Sequence, residues 1–195
     1  MYGHIHKMAE AMAEGVREAG GEPILKQVAE LVPDKLWSEE IRTVKDHMKD
    51  IPFADPQQDL DSIDGIIVGT PTRFGNMCAQ MRNFWDQTGG AWVKGALLGK
   101  PAAVFTSSNN QHGGQETTII STHLTLLHHG CVIVGLPYLF KEQMVMSEIT
   151  GGSPYGASTI AGSGPPYTRV PSANEMQMAR SMGKHLATIA RKLAI

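Results

Sequence analysis

Cysteine is scarce in this 195-residue chain, which contains only Cys78 and Cys131. Two thiols are too few for a disulfide framework or a thiolate zinc site, and such scarcity is typical of a reducing compartment. No apolar run approaches the length of a membrane span, and no signal-peptide pattern opens the sequence. We therefore expect a soluble, cytoplasmic protein without a membrane partner.

An excess of charge of either sign is also lacking. The 17 basic residues nearly balance the 19 acidic ones, which gives a net charge of -2. This balance provides no strong field toward nucleic acid, so we expect no nucleic-acid partner. The length suits one domain, residues 1–195, and no internal repeat divides the chain.

A polar loop between a strand and a helix is the feature around which we interpret the sequence. Residues 64–70 form an apolar run that is typical of a buried parallel strand. Residues 76–89 carry apolar side chains at helical spacing, with Asn76 as the expected N-cap. Ligands of open α/β sheets bind where such a loop leaves the carboxyl end of a strand. Residues 71–75 are therefore predicted either to frame a flat aromatic ligand or to form a plain tight turn.

The remaining elements alternate along the chain. Apolar patterns predict helices at residues 5–16, 115–129 and 172–193, and strands at residues 22–28, 100–106 and 131–135. This alternation predicts an α/β fold, a doubly wound parallel sheet with helices on both faces. The pattern also requires a strand directly before Met1, at the centre of the sheet. We expect another segment to fill that central position, or the strands on either side of it to close together.

Four further features each bear on a possible site. Residues 1–5 are either a glycine-containing loop that opens a helix and binds phosphate, or a frayed end. Residues 107–114 either line a ligand site or form a solvated loop. Trp92, between glycines in a predicted loop, is a hydrophobic plug or a platform for a planar ligand. His128 and His129 diverge on their helix and lack acidic or thiol neighbours at ligand spacing, so we expect no metal site.

Residues 135–171 form a long segment rich in glycine, proline and serine, without clear periodicity. A loop of this length is typical of a functional segment or an interface. Part of it is apolar, through Leu136, Tyr138, Leu139 and Phe140. We therefore expect this segment to be covered in an oligomer.

Six segments resemble the WrbA family, and they occur in the family's order through nearly the whole chain. They are residues 1–5, 69–77, 87–90, 112–116, 128–130 and 151–162. Members of this family are flavodoxin-like, tetrameric NAD(P)H:quinone oxidoreductases that carry FMN. The resemblance implies a flavodoxin-like sheet, FMN as cofactor, NADH or NADPH as co-substrate, a quinone as acceptor, and a homotetramer.

The resemblance also implies which residues form the FMN site. The loop that holds the phosphate comprises Met1, Tyr2, Gly3, His4 and Ile5, and Tyr2 is also near the nicotinamide nucleotide. The loop around the isoalloxazine comprises Pro71, Thr72, Arg73, Phe74, Gly75 and Asn76. The second wall comprises Ser107, Ser108, Asn109, Asn110, Gln111, His112 and Gly113. Trp92 and His128 are the implied catalytic residues at the ring face where nicotinamide or quinone stacks. The family contributes both across a subunit boundary, and His128 is also counted with the FMN site.

The implied reaction reduces quinones to hydroquinones by two electrons, in ping-pong hydride transfer. Arg73 or a backbone N–H would stabilise the reduced ring, and His128 would orient a quinone oxygen or pass a proton. Three alternatives stay open: an FMN-dependent azo or nitro reductase, a one-electron flavodoxin-type carrier, and a protein that binds a transcription regulator. The balanced charge favours neither of the last two, since a carrier usually presents a strongly acidic face.

Overall fold

The computed structural model describes residues 1–162 and 169–193. The helices within these residues are α1 (His4–Glu18), α2 (Glu39–His47), α3 (Ala79–Asp86), α4 (Gly89–Val93), α5 (Gln115–His128) and α6 (Ala173–Leu193). The strands are β1 (Ile66–Arg73), β2 (Asn76–Met77), β3 (Pro101–Ser108), β4 (Val132–Ile133) and β5 (Ser158–Ile160). Two 3-10 helices span Asp34–Leu36 and Lys141–Met144. No helix in the described ranges is long and apolar enough to cross a membrane.

β3 lies at the centre of the sheet and is buried along its whole length. β1 pairs with it in parallel, with Ile66 opposite Ala102 and Pro71 opposite Ser107. On the other side, β4 pairs in parallel with the first residues of β3, and β5 pairs with its last residues. β1 and β3 therefore end side by side, so the loops that follow them meet at the same edge of the sheet.

Helices cover both faces of this sheet. Alternate residues of a strand point to opposite faces. Ala103 and Phe105 pack with apolar residues of α1 and α6, whereas Ala102 and Val104 pack with residues of α3 and α5. The predicted α/β arrangement with helices on both faces is therefore present.

α1 and α6 pack closely because glycines lie at their crossing. A Cβ atom on Gly15 would lie 1.9 Å from the carbonyl oxygen of Arg180, so no larger residue fits there without a shift of the backbone. α6 begins at the predicted capping box. The hydroxyl of Ser172 accepts from the N–H of Glu175 (3.3 Å), and the Glu175 carboxylate accepts from the N–H of Ser172 (2.8 Å).

Two loops lie at this edge of the sheet: residues 71–75 are the first loop and residues 107–114 the second loop. The first loop differs from the prediction, because it is a hairpin rather than a strand-to-helix connection. β1 continues to Arg73, and the chain turns back at Phe74 and Gly75 into β2, which pairs antiparallel with the end of β1. Both turn residues have positive φ, 53° and 80°, as a two-residue hairpin turn requires. Asn76 consequently lies in β2 and is not an N-cap, since Cys78 precedes α3.

Three other segments also differ from the predictions. Trp92 lies in the short helix α4 rather than in a loop. The segment 135–171 contains β5 and a 3-10 helix, while its residues 163–168 lie outside the described part of the chain. Residues 22–28 form no strand, because their one β contact is a bridge between Gln27 and Phe53.

Within the described residues no segment fills the central position of the sheet and residues 22–28 do not pair with β1, so both expected outcomes are wrong. Gln27 supplies the physical reason. Its N–H donates to the carbonyl of Pro52 (3.0 Å), its carbonyl accepts from Ala54 (2.8 Å), and its side-chain amide donates to two further carbonyls of that turn. These bonds hold residues 22–28 against residues 48–54. A cavity of about 1090 Å³ lies between this segment and β1.

Candidate functional site

The same cavity reaches the carboxyl ends of β1 and β3, where most of the residues assigned to a cofactor lie in its wall. They are Met1, Tyr2, Gly3, His4, Ile5, Pro71, Thr72, Arg73, Ser107, Ser108, Asn109, Asn110 and Gly113. Five others belong to the same two loops but do not line the cavity: Phe74, Gly75, Asn76, Gln111 and His112. The structure therefore brings the start of α1 and both loops to one place.

The start of α1 is suited to an anion. Gly3 precedes the helix with a φ of 82°, no side chain caps the helix, and its first turn carries no acidic residue. The first N–H groups of a helix have no acceptor within the helix and form its positive end. α1 is 15 residues long, so its N-terminal N–H groups present a developed positive end at the cavity wall.

The first loop is fixed to α5 by hydroxyl groups. The Thr72 hydroxyl oxygen accepts from the Thr118 hydroxyl (2.7 Å) and from the N–H of Gly75 (3.3 Å). The Ser121 hydroxyl donates to the carbonyl of Gly75 (3.3 Å). The sequence interpretation missed Thr118 and Ser121, although their spacing of three residues places both on one face of a helix. These bonds hold the hairpin turn in one position relative to the second loop, which leads into α5.

Backbone strain occurs once in each of the two loops. Among the described residues, Phe74 (φ 53°) and His112 (φ 55°) are the non-glycine residues with positive φ. This conformation is costly for residues with a Cβ atom, and it concentrates at ligand sites. The side chain of Phe74 is also fully exposed. In the second loop the Ser108 hydroxyl donates to the carbonyl of Asn110 (2.7 Å), which ties the end of β3 to the loop.

Trp92 and His128 lie together but away from the cavity. The indole N–H of Trp92 donates to the carbonyl of His128. His128 ends α5, whereas the second loop precedes the start of that 14-residue helix, which is about 20 Å long. Neither residue lines the cavity. A single chain therefore does not bring His128 to the predicted cofactor position.

His129 anchors the end of α5 to the chain between α3 and α4. Its Nε2 lies 3.1 Å from the hydroxyl of Thr88, and its ring packs against Trp85 with centroids 5.1 Å apart. The Thr88 hydroxyl donates to the carbonyl of Trp85 (2.7 Å), so its oxygen is the acceptor for a proton on His129 Nε2. Burial and, less strongly, the neighbouring His128 lower the pKa of His129. His129 is therefore a neutral residue, and its contacts with Thr88 and Trp85 hold the end of α5, with the neighbouring His128, in place.

Ionisable groups near the cavity are paired rather than gathered as metal ligands. Burial lowers the pKa of His4, whose Nε2 lies 2.6 Å from the carbonyl oxygen of Arg169. Burial of Glu30 favours a higher pKa, but hydrogen bonding from Gln80 and the charge of Lys45 bring the pKa below its usual value. In the described ranges no three His, Cys, Asp or Glu residues are placed to hold a metal ion.

This fold and this site define a flavodoxin-like α/β protein with a ligand cavity at the carboxyl ends of its parallel strands. The NADPH-dependent FMN reductase family matches residues 3–144. A protein of Aromatoleum aromaticum named NAD(P)H dehydrogenase (quinone) is 58% identical over 99% of this chain and 93% of its own length. A protein of the same name from Geotalea daltonii is 55% identical over 100% of this chain and 95% of its own. The chain belongs to the NADPH-dependent FMN reductase family.

Solved structures support the same fold. A flavodoxin, WrbA-like protein from Agrobacterium tumefaciens has a TM-score of 0.61 at 25% identity, covering 98% of this chain and 92% of that one. Oxidised flavodoxin 1 from Bacillus cereus has a TM-score of 0.53 at 18% identity, covering 95% and 90%. The predicted flavodoxin-like fold and the resemblance to WrbA-like proteins are therefore confirmed.

Proposed function

We propose that this chain is an FMN-dependent NAD(P)H:quinone oxidoreductase that reduces quinones by two electrons. The observation that carries the proposal is the convergence of the α1 N-terminus and two strained loops on one cavity. Support comes from relatives, 55–58% identical, that are named NAD(P)H dehydrogenase (quinone).

The cavity offers a matching region to each part of FMN. The N-terminal N–H groups of α1 suit the phosphate, because they are unpaired donors at the positive end of a helix. The two polar loops suit the polar edge of a planar ring, and Arg73 places a positive charge in the same wall. When bound there, FMN supplies the group that accepts a hydride from NADH or NADPH and passes it to the acceptor.

The chain's own residues bind, orient and stabilise charge in this scheme. Arg73 and the N–H groups of the loops stabilise negative charge at the ring edge, since preorganised donors are most effective in a site that excludes water. Tyr2 contributes to binding the nicotinamide nucleotide. His128 orients a quinone oxygen or passes it a proton, and Trp92 provides a flat apolar face for stacking.

We propose that Trp92 and His128 act on the site of a neighbouring subunit, in a homotetramer. One chain keeps them at the opposite end of α5 from the cavity, so a second copy is needed to bring them over a bound ring. Large exposed apolar side chains in two regions support such an interface. They are Ile120, Leu124 and Leu127 on α5, and Tyr138, Leu139, Met144 and Met146 in the following segment. We propose that each chain is a single domain, residues 1–195, and that the assembly is cytoplasmic.

Cofactor stoichiometry and initial-rate kinetics test the proposal. We expect one FMN per chain after incubation and removal of free flavin, and parallel double-reciprocal lines for NAD(P)H against a quinone. Folded protein that retains no FMN, or lines that intersect, would contradict it. Azo dyes, nitroaromatics and a one-electron acceptor, assayed in parallel, distinguish the alternative reductases and carriers by their specificity constants.

A further inference from the structure

A buried carboxylate that the proposed reaction does not use lies near the cavity. Glu175 has no exposed surface, and its two oxygens accept hydrogen bonds from four groups besides an arginine. The donors are the N–H groups of Gly151 (2.9 Å), Ile160 (3.2 Å) and Ser172 (2.8 Å), and the hydroxyl of Thr159 (2.7 Å). A capping box needs only the bond from Ser172, so the others require a different explanation.

Arg169 neutralises this carboxylate with both arms of its guanidinium group. Nη2 lies 3.0 Å from one oxygen of Glu175, and Nη1 lies 3.1 Å from the other. Burial of Glu175 favours a higher pKa, but the bonds from Arg169 and the backbone bring it below its usual value. The same guanidinium also donates to the carbonyls of Ile149 and Ile160. The pair is therefore a fully bonded, charge-neutral centre on which several chain segments meet.

One side of this centre reaches the start of α1. The backbone carbonyl of Arg169 lies 2.6 Å from Nε2 of His4, which donates to it. His4 is buried, is the first residue of α1, and lines the cavity. The start of α1 is thus hydrogen-bonded directly to Arg169, the residue that pairs with Glu175.

The other side of the centre reaches the second loop. Thr159 and Ile160 belong to β5, which pairs with Ser107 and Ser108 at the end of β3. The N–H of Ala161 also donates to the carbonyl of Ser108 (2.7 Å). Glu175 therefore connects, through β5, to the second loop, which lines the same cavity as the α1 N-terminus.

We propose that Arg169 and Glu175 are positioning residues that hold the α1 N-terminus at the distance from the second loop that an FMN phosphate requires. This inference rests on the proposed function. Phosphate binding by backbone N–H groups depends on their placement, because a helix end has no flexible side chain that could follow a displaced anion. The centre bonds directly to the phosphate end of the site, through His4, and reaches the second loop only through β5. It should therefore affect recognition of the phosphate more than recognition of the ring.

Comparison of FMN with riboflavin tests this, since riboflavin has the same ring and lacks the phosphate. We would titrate the flavin-free protein with each by fluorescence quenching, using wild type, Arg169→Lys and Glu175→Gln. Arg169→Lys keeps the charge but loses the two-armed geometry. We expect FMN affinity to fall by about tenfold in either variant while riboflavin affinity changes by less than about twofold. Arg180→Lys is the matched control, because Arg180 lies on α6 with Glu175 but pairs with Glu14 and Glu18 on the surface, and neither affinity should change.

A second variant covers the case in which loss of the pair prevents folding. His4→Phe leaves Arg169, Glu175 and the backbone N–H groups of α1 intact and removes the ring N–H that reaches the Arg169 carbonyl, so it should show the same selective loss of FMN affinity. Equal losses for both flavins, or unchanged FMN affinity in folded variants, overturn the inference. A wild-type protein that binds FMN no more tightly than riboflavin overturns this inference alone. A wild-type protein that binds neither flavin overturns the proposed function as well.

Discussion

The indole N–H of Trp92 donates a 2.8 Å hydrogen bond to the backbone carbonyl of His128. The two residues are 36 positions apart, and the bond joins α4 to the end of α5. Trp92 remains 56% exposed, so its ring face is available for contact although its N–H is occupied. Its orientation is thus set by His128, and the two residues form one unit on the surface.

This unit yields a prediction about the quinone step. Trp92→Phe keeps an aromatic face but loses the bond to His128, which is worth about 1 kcal/mol, or roughly fivefold in an equilibrium. We expect kcat/KM for the quinone to fall by about that factor, and Trp92→Ala or His128→Ala to lower it further. FMN affinity should change less than the quinone step in all three. If each variant loses FMN in proportion to its activity, the two residues act on the cofactor and not on the acceptor.

Thr118 offers a second prediction. Its buried hydroxyl, on α5, donates a hydrogen bond to the Thr72 hydroxyl in the first loop. Thr118→Val keeps the shape and removes the hydroxyl, which should cost about 1–2 kcal/mol of unfolding free energy. FMN affinity should fall by about five- to tenfold, since the first loop is no longer held in one position. Thr118→Ser retains the hydroxyl and should restore most of the affinity. Denaturant unfolding and flavin titration measure the two effects, and a stable Thr118→Val protein with unchanged FMN affinity would rule out this role.

The parts of the fold that the sequence predicted are those with local patterns. α1, α5 and α6 have apolar stripes at helical spacing, and Ser172 with Glu175 marks the start of α6. β1 and β3 are apolar runs long enough to recognise. β2 was missed because its turn places an aromatic residue, Phe74, at positive φ, where Asn or Asp with Gly is the usual signal. α4 has only five residues and begins with two glycines, so no periodicity could reveal it.

The site was predictable where it follows from strand ends and not where it follows from packing. The two loops are placed by the rule that parallel strands end together. The bond from Thr118 to Thr72, and the contacts of Arg169, join residues far apart in sequence, and no local spacing encodes them. The separation of His128 from the cavity likewise depends on the direction of α5, which a pattern of residues does not give.

Strain in the hairpin turn gives a third prediction. Phe74 has positive φ and a fully exposed side chain, so its side chain makes no packing contact that would offset the cost of its conformation. Phe74→Asn, which tolerates this conformation, should stabilise the flavin-free protein by about 0.5–1 kcal/mol and lower FMN affinity. Gly75→Ala should lower the stability, because the φ of Gly75 is also positive and a Cβ atom there would lie 2.9 Å from the Thr117 hydroxyl. Thermal melts of both variants check this, and a destabilised Phe74→Asn protein would show that the turn is not strained.

His123 gives a prediction about pH. It is 9% exposed, burial lowers its pKa from 6.5, and its Nε2 has no hydrogen-bond partner among the described residues. Because the folded pKa lies below the unfolded value, the unfolded chain binds a proton first as the pH falls below about 6.5. The stability present above that pH is therefore lost as the pH falls toward the folded pKa. His123→Leu removes the titration and the unpaired atom. We expect an advantage of His123→Leu that is constant near pH 8, from the loss of the unpaired atom, and that grows below about pH 6.5. Parallel melting curves at every pH would contradict the assignment of this slope to His123.

The cavity beside β1 gives the last prediction. Along residues 66–71 one edge of β1 has no strand partner within the described chain, and the cavity wall there is formed by α1, β1, α3 and residues 22–28. Six or seven extended residues span about 20 Å, which suits a strand parallel to this edge. A seven-residue segment rich in valine and isoleucine, fused before Met1 and ending in serine, should pair with the edge and bury its side chains on both faces.

A gain of a few kcal/mol in a chain of this size should raise the melting temperature by about 10 °C, since each 1 kcal/mol is worth roughly 2–4 °C. FMN affinity should also rise, because a strand that leads directly into Gly3 would fix the α1 N-terminus, and the serine would add a hydroxyl donor beside it. A glycine–serine extension of the same length is the matched control and should change neither quantity. If both extensions give the same melting temperature and the same FMN affinity, the cavity does not accept a strand, and the central strand position expected from the sequence pattern is wrong.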